Sequence, residues 1–281
     1  MLQPAVADLA AAGLTLTIED SRAIITVDRR DRGVACARAV SAVGALAEIG
    51  RYLPGSIRLV LLRIIGGLPP FDHVRVDPTA ACGRERPGMG GMCPEDDMGP
   101  VGPVGLEGSV GLEGTDGADD VGDRRSTLDW LSRPDLFSIA VVSGWAVDAL
   151  HLALACDLRV FCADAYLAMD GIRHGRIPAL GVSDTLVDLV GYGRALDLCV
   201  TGRVVSGTQA YGWGLADRVA APVDLPDAVE DLAAALLAPP RGLAVEVKAL
   251  LLHRRERSRP DQVRAERDAQ LRTSAEAVPP G

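Results

Sequence analysis

Residues 57–65 form a run of apolar side chains broken only by Arg58 and Arg63. An apolar run of strand length without polar alternation is the pattern of a strand covered on both faces of its sheet. Upstream, residues 35–52 space small apolar side chains at helical intervals, and Pro54-Gly55 ends the pattern. A helix followed by a buried strand predicts a βαβ unit, and so an α/β fold with parallel strands covered by helices. Composition agrees, since 48% of residues are hydrophobic but only 4% aromatic. The core must therefore be built from Ala, Val, Leu and Ile. Two short runs, 14–19 and 23–27, predict a hairpin or paired strands ahead of the helix.

Further strands are expected at 138–143, 158–162 and 166–169, and a short helix at 127–131. A glycine turn at Gly144 leads into a helix over 148–156. Helical patterns follow at 182–190, 194–200 and 206–213, the last capped by Ser206 and stopped by Gly214. The tail, 224–237 and 243–271, reads as amphipathic helix, with Arg254-Arg255-Glu256-Arg257 as a solvated face or a subunit contact. Residues 136–156 are apolar except for Asp148 and His151, but Gly144 and Asp148 divide them into pieces too short to cross a bilayer. The first twelve residues contain Asp8 and no basic residue, unlike a secretory signal. Six cysteines without a C-x-x-C pair, four of them in apolar runs, predict buried thiols in a reducing cytoplasm.

The net charge is −9. Eleven acidic side chains and two arginines fall between Asp77 and Asp123, so that stretch accounts for all of it and the remainder is balanced. A neutral body has no general attraction for phosphate backbones or anionic lipid, so neither nucleic acid nor membrane is expected as a partner. The same stretch holds twelve glycines and five prolines, a composition that cannot pack a core. It is expected to be a disordered insertion spanning 77–125. Glycines from Gly99 to Gly117 recur every third residue, so three such loops winding together in a trimer remain an alternative. The organisation expected is thus a core of 1–76 and 126–222, the insertion, and a helical region over 223–281.

From Ala140 onward a series of landmarks resembles the crotonase superfamily, the enoyl-CoA hydratase/isomerase family. They are Ser143-Gly144-Trp145-Ala146, Leu152-Ala153-Leu154-Ala155-Cys156-Asp157, Gly175-Arg176-Ile177-Pro178, Thr201-Gly202 and Gly214-Leu215-Ala216-Asp217. Their order and spacing over eighty residues carry the likeness, and residues 57–72 extend it more faintly. The resemblance implies a spiral of ββα turns, a helical C-terminal trimerisation region, and a homotrimer or hexamer. It also implies an acyl-CoA or carrier-protein thioester as substrate, with no further cofactor, held in an oxyanion hole of backbone N–H groups.

By position, the first donor would be the N–H of Phe71, after Pro70 where the family usually has glycine. The second would be that of Asp148, or of Ala149 if the one-residue gap falls differently. Both family glutamates are missing, the first falling at His151 and the second at Gly171. His151 and Asp170 remain as proton-transfer candidates, with His174 four residues further on. Local readings stand beside these: Asp148 as a helix N-cap, His151 as a packed histidine, Asp170-Gly171 as a turn. Asp148, His151, Asp170 and His174 lack a tight ligand pair on one element, so no metal is expected. Gly191-Tyr192-Gly193 is too incomplete for a dinucleotide motif, and Trp145 and Trp213 read as core aromatics. The implied chemistry is an enolate reaction other than standard hydration (isomerase, decarboxylase or lyase), with a catalytically lost scaffold subunit or a tailoring enzyme on a non-CoA substrate as alternatives. Residues 69–75 run straight into the acidic stretch, which disfavours a highly anionic nucleotide by like-charge repulsion.

Overall fold

A computed structural model describes residues 6–30, 35–68, 128–178 and 181–276. A short helix α1 (Val6–Ala11) leads into strands β1 (Leu14–Glu19) and β2 (Arg22–Arg29), which pair antiparallel as a hairpin. Helix α2 (Ala35–Tyr52) then returns the chain to β3 (Leu59–Gly66), parallel to β2, completing the predicted βαβ unit. Strands β4 (Phe137–Ser143) and β5 (Leu158–Cys162) add in parallel, with the short helix α3 (Leu150–Leu154) between them. Strands β6 (Tyr166–Ala168) and β7 (Val204–Ser206) form a small antiparallel sheet, and β8 (Arg218–Ala220) closes the main sheet beside β5. The main sheet runs β1-β2-β3-β4-β5-β8.

The central strands are buried on both faces, as residues 57–65 suggested. Val60, Leu62, Ile64, Ala140 and Val142 point to one side, against Ala42, Leu46 and Ile49 of α2 and Leu150 and Ala153 of α3. Leu59, Leu61, Ile139, Val141 and Val160 point to the other, against Val229, Leu232 and Ala233 of α7 (Leu225–Leu237). That second layer is why the strands lack polar alternation.

Helices α4 (Val182–Val190) and α5 (Tyr192–Thr201) lie between the two strands of the small sheet, and α6 (Gly207–Gly212) follows β7. Ser206 caps α6 through a reciprocal box with Gln209, and Gly214 takes a left-handed φ of 80° beyond its end. The tail is divided into α8 (Arg241–Leu252) and α9 (Arg259–Glu276), not continuous over 243–271. A 3₁₀ turn at His253–Arg255 marks the corner. There Arg255 pairs with Asp184 at 2.6 Å and with Asp188, while Arg254 approaches Asp188 at 3.4 Å. The arginine cluster stays on the exposed surface, and two of its side chains also pair with α4. Trp213 is held between the guanidinium groups of Arg194 and Arg203, 5.4 and 4.6 Å from its ring centre. Among the described residues no helix is long and apolar enough to cross a membrane. Residues 77–125 lie outside those described.

Candidate active site

Strand β4 ends at Ser143, and the chain turns at Gly144 with φ 67°. Three backbone hydrogen bonds then fix the loop. Trp145 N–H donates to the Gly67 carbonyl (2.8 Å), Ala146 N–H to Tyr166 (2.9 Å), and Tyr166 N–H to Gly144 (2.9 Å). The loop is joined on one side to the end of β3 and on the other to β6. The seam is tight enough to exclude side chains: a Cβ on Gly144 would sit 2.8 Å from the Gly66 carbonyl oxygen, and one on Gly66 would overlap the Trp145 backbone. Gly144→Ala is therefore expected to destabilise the fold by at least about 1–2 kcal/mol from the left-handed φ alone, with the carbonyl overlap adding to that. Urea denaturation monitored by tryptophan fluorescence measures the change.

The seam delivers a 3₁₀ turn, Val147–Ala149, to the start of α3. Of the two backbone donors expected there, Ala149 N–H is already committed to the Ala146 carbonyl at 3.0 Å. The N-cap of α3 falls on Ala149, without a side-chain cap, so Asp148 does not occupy the capping position the local reading gave it. His151 is the second residue of α3 and is half-buried.

Strand β6 leads into a second 3₁₀ turn, Asp170–His174, closed by Gly175 at φ 66° and by Arg176 N–H donating to the Gly171 carbonyl at 2.9 Å. This turn packs beside Val147–Ala149, with Cα atoms of the two within 8 Å. The fold therefore brings the turn Val147–Ala149 near the turn Asp170–His174, with His151 on the helix that continues the first. At Gly171 a Cβ would sit 3.2 Å from the Arg176 carbonyl oxygen, so a larger side chain there requires the turn to give. Pro70 and Phe71 lie outside the described residues. On their side, Gly67 bridges to Trp145.

Several features of this region escape sequence reasoning. Trp145 is not simply a core aromatic: it is half-buried and stacks on Tyr166, ring centres 5.4 Å apart and tilted by 36°. At the base of the β4–α3 arm, Asp157 and Ser138 bond reciprocally. Ser138 N–H donates to Asp157 Oδ2 (2.8 Å), and Asp157 N–H to Ser138 Oγ (2.9 Å). Lys248 of α8 inserts its ammonium between Asp157 Oδ2 and the Leu136 carbonyl, 2.6 Å from each. Burial pushes the Asp157 carboxyl up, an effect that Lys248 and Ser138 oppose only in part. Burial also pushes the Cys156 thiol up to about 12 and that of Cys162 up to about 11, which removes both as nucleophiles near neutral pH. A cleft of about 130 Å³ opens at the far end of α3, between Leu154 and Val182, away from the paired turns.

The family model for enoyl-CoA hydratase/isomerase matches residues 122–278. A Thermobifida fusca YX protein bearing the name enoyl-CoA hydratase, solved in complex with CoA, is 33% identical, with 98% of each chain covered and a TM-score of 0.74. A Thermobifida fusca YX structure of the same description in complex with acetoacetyl-CoA is 32% identical, covering 98% of this chain and 100% of that one, with a TM-score of 0.74. Methylglutaconyl-CoA hydratase 1 of Pyricularia oryzae is 40% identical over 126 residues, 43% of this chain and 36% of its own length. A short-chain-enoyl-CoA hydratase of Clostridioides difficile is 38% identical over 95 residues, 34% of this chain and 61% of its own. The curated relatives are thus matched over less than two thirds of their length.

Proposed function

The chain belongs to the enoyl-CoA hydratase/isomerase family, and from that premise we propose that it binds an acyl thioester and stabilises the enolate formed beside its carbonyl. The observation that carries this reading is the pairing of two turns. Val147–Ala149, fixed by glycine contacts at the start of α3, lies against Asp170–His174. Backbone N–H groups aimed at a thioester oxygen stabilise the charge that develops there by several kcal/mol, because they are oriented before reaction. Asp148 N–H is one such donor in this proposal, and Phe71 N–H the other. A base removes the proton next to the carbonyl, the C–H electron pair moves toward the oxygen, and the proton is returned at the same or another carbon.

His151 and Asp170 are the groups proposed to move that proton. A hydratase that activates water with two glutamates has no counterpart here, since the two positions hold His151 and Gly171. Isomerase, decarboxylase or lyase chemistry fits these residues better than hydration, although the relatives carry hydratase names. Leu243, Val247 and Leu251, spaced four apart on α8, stay exposed, which supports a homotrimer or hexamer. Calorimetric titration with acetoacetyl-CoA, and with CoA as reference, tests the reading. Saturable binding of the thioester is expected, both in the wild type and in a chain deleted of residues 77–123. Failure of both forms to bind would remove the reading, and binding without proton exchange at the α-carbon would leave a scaffold subunit.

A further inference from the structure

Lys248 is the only lysine in a chain of 281 residues, yet it is buried, with 7% of its surface exposed. A long, strongly hydrated ammonium is seldom buried unless several acceptors replace its water. Here they are the Asp157 carboxylate and the Leu136 carbonyl, and the ammonium also lies 5.7 Å above the Phe137 ring. Both acceptors and the ring belong to the base of the β4–α3 arm. Ser138 begins that arm and Asp157 ends it, and the reciprocal bonds between them close it like a clasp. Ser138 Oγ donates onward to the Leu131 carbonyl at 2.8 Å, and Arg159, just past the arm, donates to the Cys156 carbonyl at 2.9 Å. The tip of the arm is the seam at Gly144–Ala146 and the turn Val147–Ala149.

We propose that Lys248, acting through Asp157, is a positioning residue that fixes the base of this arm and so makes helix α8 part of the support of the donor turn. The inference rests on the enolate reading for its catalytic consequence. Its structural content stands apart: α8 sets the order of a turn at the other end of β4. Without the ammonium the base of the arm holds a buried carboxylate with no counter-ion, so the arm samples more orientations at its tip, and a preorganised donor loses effect when its direction is averaged.

Two readouts separate positioning from plain stability. Lys248→Met is expected to raise hydrogen–deuterium exchange of amides 145–150 selectively, and to lower kcat for α-proton exchange on acetoacetyl-CoA at least tenfold with KM little changed. Leu14→Ala, a cavity in the edge hairpin, supplies a comparison that lowers Tm without touching the arm. It should leave kcat and amides 145–150 at wild-type values below its transition. Lys248→Arg keeps the charge and should recover part of kcat. Should Lys248→Met not fold, Lys248→Met/Asp157→Asn removes the stranded carboxylate and still lacks the tie, so its amides 145–150 should exchange fast. Wild-type exchange at 145–150 in a folded variant lacking the ammonium would overturn the proposal. If the wild type itself shows no α-proton exchange, the enolate reading fails while the amide data still decide this one.

Discussion

Replacing His151 with alanine is expected to lower α-proton exchange on a bound acyl thioester by about 10² to 10⁴, the range a positioned proton-transfer group contributes. The expectation follows from place and chemistry together. His151 is the second residue of α3, immediately after the Val147–Ala149 turn, and the resemblance of the sequence to the family places it at the first glutamate position. An imidazole titrates near neutral pH, so it can hold the proton that a glutamate would otherwise move. Thioester affinity should change little, because a group used in the transition state contributes chiefly to kcat. His151→Gln preserves size and hydrogen bonding without basicity, and it should be as slow as the alanine variant. Full activity in either would assign His151 to packing alone and leave Asp170 as the base.

Lys248→Met should cost about 3–5 kcal/mol of stability, the usual effect of removing one partner from a buried ion pair. The loss comes less from the missing attraction than from the carboxylate left behind, since the Asp157 side chain is only 17% exposed. Lys248→Met/Asp157→Asn should recover a large part of it, and a double-mutant cycle from urea melts measures the coupling. The pH dependence has a definite sign. Burial already raises the Asp157 carboxyl above its ordinary value. A carboxyl raised in the folded state favours folding below its unfolded pKa of about 3.9 and loses that contribution as pH rises through the folded value. With the ammonium gone the carboxyl rises further, so Lys248→Met should be more destabilised at pH 8 than at pH 5. Equal losses at both would show that the carboxylate is not stranded.

These two positions differ in how far the sequence announces them. His151 lies among landmarks whose spacing is local, and its place was readable before any coordinates. Lys248 is conspicuous as the lone lysine, but its partner Asp157 is 91 residues away, and no periodicity spans that distance. The same contrast runs through the fold. Helix α2 and strand β3 follow from a helical stripe and a doubly buried apolar run, patterns that packing imposes over many residues. Strands β7 and β8 have three residues each, too few to display a period, and both went unread. The corner at His253–Arg255 carried a signal that the continuous helical reading passed over: Ser258-Arg259-Pro260-Asp261 places a capping serine and an early proline at the start of α9.

At the site, the landmarks around Gly144 announced the helix after β4, but the expected span 148–156 is a 3₁₀ turn at Val147–Ala149 followed by a helix over Leu150–Leu154. Ala149 N–H is consumed by Ala146, a matter of turn geometry rather than residue type. The juxtaposition with Asp170–His174 depends on β6 docking at Ala146 and Gly144, a tertiary contact with no local signature. Trp145 looked like core because indoles usually are. Its stacking on Tyr166 follows from a bridge that sets the two chains side by side.

The central claim is enolate stabilisation, and exchange of the α-protons of acetoacetyl-CoA or a saturated acyl-CoA in D₂O, followed by proton NMR, tests it whatever the final reaction is. The wild-type protein is expected to wash deuterium into the α-position well above the buffer rate, saturably in substrate and dependent on His151. Tight binding with exchange at the buffer rate would contradict the account.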